Sequence, residues 1–212
     1  MTKKTAATLP PNATHPKTRA AWRKWLEKHH TRDTGVWLVS FKSKTGKPRV
    51  EYGAAVEEAL CFGWIDSKAV TLDDDRGMQW FSPRRPRTGW SKLNKGRIER
   101  MMSAGLMHAS GLAKIAQAKK DGSWELFDDI EQFHMPDDLV KALALRQGAR
   151  ALFDAFPPSR RKAILAWIKL AKRPGTRATR VAEAARLAAE NRRANTWTPK
   201  PRATTPSTRK LR

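Results

Sequence analysis

Asp66 lies in the segment Trp64-Ile-Asp-Ser-Lys-Ala-Val70. Read as a strand, its period of two places Trp64, Asp66, Lys68 and Val70 on one face. A carboxylate beside a tryptophan and a valine needs a partner. The basic loop that follows supplies Arg84, Arg85 and Arg87. On the next helical pattern, Asn94 precedes Ile98 by four positions and Met101 by seven, so it faces the core side with Trp90 at its edge. Trp64, Asp66, Arg84, Arg85, Trp90 and Asn94 can therefore line a polar pocket with aromatic walls. The same residues also suit a buried Asp66–arginine pair that fixes a hairpin to a helix. In the pocket reading, Asp66 is the candidate general acid or base.

A second group is Lys172-Arg-Pro-Gly-Thr-Arg-Ala-Thr-Arg180. With Thr176 as an N-cap, Arg177 and Arg180 fall in the first turn of the last helix, where the helix dipole disfavours cations. Lys172, Arg173, Arg177 and Arg180 around exposed N–H groups describe an anion site. An internal salt bridge to Asp66, Asp121, Asp137 or Asp138 explains the same residues.

Other chemistry is poorly supplied. Cys61 falls off the apolar stripe of its helix, which would expose it, but no neighbouring histidine activates it. His29 lies on an apolar stripe and reads as a packed side chain; His108 and His134 read as surface loop residues. Asp73-Asp74-Asp75 lacks calcium-loop spacing and reads as a solvated turn. One cysteine excludes a disulfide framework and a cysteine-based zinc site. No metal or cofactor is implied.

The elements that must position these groups follow from periodicity. Trp22, Trp25, Leu26 and His29 form one stripe of a helix opened by Pro16. Val36–Phe41 reads as an inner strand. Tyr52–Leu60 reads as a helix burying Ala55, Val56, Ala59 and Leu60, with Glu57 and Glu58 outward. Residues 64–70 and 78–82 form a hairpin. From Ser91 the pattern is helical, over about 91–104, 111–120, 137–147, 149–155, 159–172 and 176–190, capped by Ser91, Ser110, Ser159 and Thr176. The expectation is an α+β fold: a small antiparallel sheet of about three strands packed by helices, then a mostly helical C-terminal half. Residues 1–15 form a basic arm, 16–190 the domain (sheet-containing over 16–90, helical over 91–190), and 191–212 a basic disordered tail.

The 212 residues carry 43 Lys+Arg against 20 Asp+Glu, a formal charge of +23. All acids lie between Glu27 and Glu190, so much of the excess sits near the ends, where it binds polyanions without sequence preference. No apolar run is long enough for a transmembrane helix. The start has a basic beginning without the apolar core of a secretory signal, which places the protein in the cytoplasm.

Several motifs together carry a family resemblance. Ala59-Leu-Cys-Phe-Gly-Trp-Ile-Asp-Ser67, Phe81-Ser-Pro-Arg-Arg85, Trp90-Ser91-x-x-Asn94 and Gly105-Leu-Met107 form its first part. Ala118-Lys-x-Asp-Gly-Ser-Trp124, Pro136-Asp-Asp-Leu139 and Ala171–Arg180 continue it. In order and spacing, residues 16–190 resemble the YdeI/OmpD-associated, or bacteriocin-protection, family. The resemblance implies envelope association, with a porin as partner and a periplasmic setting, and it brings no agreed catalytic residue.

Three functions fit: a noncatalytic protein binding an anionic small molecule or acidic partner through its arginines; a nonspecific nucleic-acid binder acting through tails and basic faces; and an enzyme using Asp66. The lack of a nucleophile–base pair favours the first.

Overall fold

The computed structural model describes residues 8–195. Residues 1–7 of the basic arm and 196–212 of the basic tail lie outside the described residues. The fold is α+β, and it divides into two compact units, one up to Asp128 and one from Asp129.

In the first unit, strands β1 (Ala13–Thr14), β2 (Val36–Phe41), β3 (Trp64–Thr71) and β4 (Arg76–Pro83) form a sheet in the order β1-β2-β4-β3. Three strands pair antiparallel, as expected from the sequence. The two-residue β1 adds a parallel edge to β2, within the segment expected to be an arm. Helices α1 (Arg19–His29) and α2 (Tyr52–Cys61) precede the hairpin; α3 (Lys92–Ser103) and α4 (Ala109–Lys120) follow it. These last two belong to the sheet-containing unit, so the helical part expected over 91–190 is shared between the units.

Trp22 and Leu26 of α1, Val56 and Leu60 of α2, Val36, Leu38, Trp64 and Phe81 of the sheet, and Ile98 of α3 build one core. Apolar periodicity dictates this packing. Capping decides where the helices begin: α1 starts at Arg19, not Pro16, because the Thr18 hydroxyl accepts from Ala21 N. Similarly, α4 is capped by the His108 ring, whose Nδ1 accepts from Ser110 N, while the Ser110 hydroxyl donates to the Phe62 carbonyl.

Glu58 is not outward. It is 2% exposed and joined by Arg19 Nε at 2.5 Å and Arg23 Nη1 at 2.7 Å. Two guanidinium groups from α1 let a helix bury a carboxylate that the pattern alone would leave in water. Cys61, expected at the surface, is also fully buried, and burial pushes its thiol pKa up, which keeps it protonated.

The second unit holds α6 (Asp137–Ala144), α7 (Ala149–Asp154), α8 (Pro158–Lys169) and α9 (Pro174–Ala189), after a short α5 (Asp128–Glu131) at the boundary. Leu139, Leu143, Phe153, Ile164, Ile168, Val181 and Ala185 are among its buried side chains. Pro174 and Gly175, expected as a stop, form the first turn of α9; Arg173, not Thr176, occupies the cap. Proline suits that position because its missing N–H has no intrahelical partner to lose. Among the described residues, no helix is long and apolar enough to cross a membrane.

Candidate functional site: an arginine notch without an ion pair

The loop from Arg84 to Trp90 leaves β4 and returns to α3. Its first residue extends the hairpin ladder, Arg84 N donating to Gly63 O at 2.9 Å. Gly63 turns the chain between α2 and β3 at φ +77°, a conformation that favours glycine. Thr88 Oγ1 donates to Arg85 O at 2.7 Å, and Arg87 N donates to Asp121 Oδ2 at 3.2 Å, which folds the loop against the end of α4. Helix α4 in turn seats Gly111 on the end of α2, where a Cβ would lie 2.2 Å from Cys61 O.

Arg84 is the centre of this arrangement. It is 6% exposed. Its guanidinium carbon lies 3.6 Å from the Trp90 ring centroid, and Nη2 donates to Gly89 O at 2.9 Å and Thr88 O at 3.3 Å. Its Nε is buried without a partner. Desolvation pushes its pKa down to about 10, so it is cationic at neutral pH. Arg85, Arg87 and Lys114 line the same notch, and none of the four makes an ion pair among the described residues.

The one carboxylate there, Asp121, is already engaged by the backbone N–H groups of Ser123 (3.0 Å) and Arg87. Hydrogen bonding, chiefly from the Ser123 side chain, holds its pKa below the usual carboxylate range. The notch encloses about 20 Å³, room for one water-sized group. Arg84, Arg85, Arg87 and Lys114 thus line, with Asp121, a space for one water-sized group.

The sequence brought Arg84, Arg85 and Trp90 together, and so does the structure. Trp64, Asp66 and Asn94 lie elsewhere. The Trp64 indole donates to His30 O at 3.0 Å, and Asn94 Oδ1 accepts from Arg97 Nη1 at 2.8 Å. Asp66 Oδ2 accepts from the Tyr52 hydroxyl (2.9 Å) and the Gln79 amide (3.1 Å), not from an arginine. Burial, then that bond, raises the Tyr52 pKa. Lys68 and Val70 do not share the face of Asp66. The β3–β4 register shifts between Asp66 and Ala69, and a bulge there turns the later residues over.

Lys114 and Asp121 were missed. Lys114, Ala118 and Asp121 are spaced i, i+4, i+7 on one helix face, a signal that becomes useful only once α4 is placed beside the loop.

The second basic group closes on itself. Arg177 donates from Nε and Nη2 to Asp138 at 2.7 and 3.0 Å, and this pairing holds the Asp138 pKa low. Arg180 Nη1 donates to the Trp167 carbonyl and lies over its ring at 5.1 Å. Because α9 begins at Pro174, Arg177 and Arg180 stand beyond the N–H groups they were expected to surround. Lys172 is exposed. A hollow of about 140 Å³ beside Arg177 contains His134, Asp129 and Lys169, with Lys169 bonded to both Asp129 oxygens at 2.7 Å. Its charges are balanced by the protein's own groups.

Residues 132–191, which contain this closed cluster, match the family described as "Bacteriocin-protection, YdeI or OmpD-Associated". Residues 14–114, which contain the Arg84 loop, match a domain of unknown function, DUF8412. The likeness to the first family, expected over 16–190, is thus confined to its last third. The motifs at 59–67, 81–85, 90–94 and 105–107 fall in the second match. No curated protein and no solved structure matches the chain.

Proposed function

We propose that this is a noncatalytic binding protein that takes an oxyanion at the Arg84 notch. The observation that carries the reading is a buried guanidinium whose Nε has no acceptor and which makes no ion pair among the described residues. A buried cation without a counter-charge is unfavourable, and one anionic oxygen from outside completes it. The small enclosed volume admits that oxygen alone, so the rest of a phosphate, sulfate or carboxylate ligand stays outside, against Arg85, Arg87 and Lys114. The Trp90 ring fixes the plane of the guanidinium and so preorganises it. Asp66 is bound up with Tyr52 and Gln79, and the reading needs no reaction.

Titrating the full chain with inorganic phosphate while following arginine Nε–H resonances by NMR tests this. The Arg84 resonance, assigned with Arg84→Lys, is expected to move in a saturable way. A resonance that stays fixed while phosphate is raised to tens of millimolar would refute the reading.

A further inference from the structure

Helices α1 and α2 bury one face of the sheet, with Val36, Leu38 and Phe81 in the core. The opposite face has another character. The register sets Trp37 against Trp80, Val39 against Met78 and Phe41 against Arg76, and alternation puts all six on one surface. The two indoles meet edge to face at 5.0 Å, both half-buried, above a fully buried Val39.

Each ring carries an ammonium. Lys68 Nζ lies 5.2 Å from the Trp37 ring centroid and 5.9 Å from that of Trp80. Lys17 and Lys47 lie 4.4 and 4.9 Å from the Phe41 ring. Lys68 reaches this face because the bulge in β3 turns it away from Asp66.

We propose that this face binds single-stranded nucleic acid, with Trp37, Trp80 and Phe41 stacking on bases and Lys68, Lys17 and Lys47 meeting phosphates. Every base has a π-face, so such a platform needs no sequence motif. The ammonium groups now over the rings make contacts that are weak at exposed sites. A base that replaces one frees a long, flexible lysine to reach the adjoining phosphate. Lys47 also pairs with Asp75 at 2.9 Å and contributes least. The +23 charge of the chain favours a polyanion. A duplex keeps its base faces inside its own stack, and an acidic protein has charge but no run of bases. Stacking rings beside lysines therefore favour the single strand over both. This inference uses none of the Arg84 notch residues and stands apart from the proposal made for them.

Fluorescence anisotropy of a dye-labelled fifteen-residue oligothymidine with the full chain tests it, against a duplex of the same length. The single strand is expected to bind about tenfold more tightly than the duplex. Trp37→Ala should weaken binding about tenfold, and Trp37→Phe should restore most of it. Lys68→Glu, at an exposed position that leaves the fold intact, should weaken binding and flatten the salt dependence by at least about 0.7 log units per decade. Equal binding of single strand and duplex overturns the proposal, as does wild-type affinity in a Trp37→Ala protein that still melts cooperatively. Wild-type affinity in Lys68→Glu overturns it even if Trp37→Ala fails to fold.

Discussion

Arg84 and Arg177 both stand beside a small hollow in a strongly basic chain, yet their surroundings differ in one decisive respect. Arg177 meets Asp138 through two hydrogen bonds across 39 positions of sequence. Arg84 is more deeply buried and meets carbonyls, the Thr88 hydroxyl and an indole face. The same contrast exists within the first unit, where Arg19 and Arg23 share the buried Glu58. Arg180 likewise meets a carbonyl and an indole instead of a carboxylate, but it stays half-exposed. A buried guanidinium with no ion pair among the described residues is a property of the Arg84 loop. Arg161 also has an unpartnered Nε, but it stays half-exposed over Phe133, and its neighbour Lys162 is bound to Glu131 at 2.5 Å.

The contrast can be broken in order of size. Removing the shared carboxylate with Glu58→Ala leaves Arg19 with only Glu57 (3.0 Å) and Arg23 with only Glu27 (3.4 Å) as ion partners among the described residues. It should cost about 3 kcal/mol in urea unfolding, the low end for breaking a buried pair. A loss under 1 kcal/mol would mean that the buried acid is not what pairs these helices. Next, Gly111→Ala drives a Cβ into the Cys61 carbonyl. It should cost roughly 1–3 kcal/mol and displace Lys114, reducing phosphate binding along with stability. Retention of both would detach α4 from the notch.

The smallest effect is at Asp138. Its carboxylate is 43% exposed and its partner Arg177 34% exposed, so solvent screening limits Asp138→Asn to about 0.2–1 kcal/mol at pH 7. The pairing lowers the folded pKa below the ordinary aspartate value of 3.8. Its stabilisation is therefore complete above that value and is lost as pH falls through the folded pKa. Wild type and Asp138→Asn should converge in stability once pH has fallen through the folded pKa; a gap that persists there would point to something other than charge.

Much of the scaffold was legible. Strand Val36–Phe41 coincides with the expected one, and the hairpin is where turn residues put it. Helices α2, α3 and α4 stop just before Gly63, Gly105 and Gly122 as expected, whereas α6 and α8 end well short of Gly148 and Pro174. Periodicity is local, and these elements depend on local physics. The bulge at Asp66–Ala69 was hidden because strict alternation assumes its absence. Glu58 looked solvent-facing because Arg19 and Arg23 lie 39 and 35 residues away. The notch was half legible for the same reason: Arg84, Arg85 and Trp90 are near neighbours in sequence, whereas Lys114 arrives on another helix. Which of the twenty acids reaches which arginine is a question of tertiary distance.

A thermal-melt series with inorganic phosphate tests the central difference most directly, comparing wild type, Lys114→Glu and Arg177→Met. The Lys114→Glu protein carries a carboxylate at the notch, doing for Arg84 what Asp138 does for Arg177. Phosphate at about a hundred times its dissociation constant should stabilise wild type and Arg177→Met by about 2.7 kcal/mol and leave Lys114→Glu unmoved. An equal shift in all three proteins, or a shift lost in Arg177→Met alone, would contradict the assignment of the anion to Arg84.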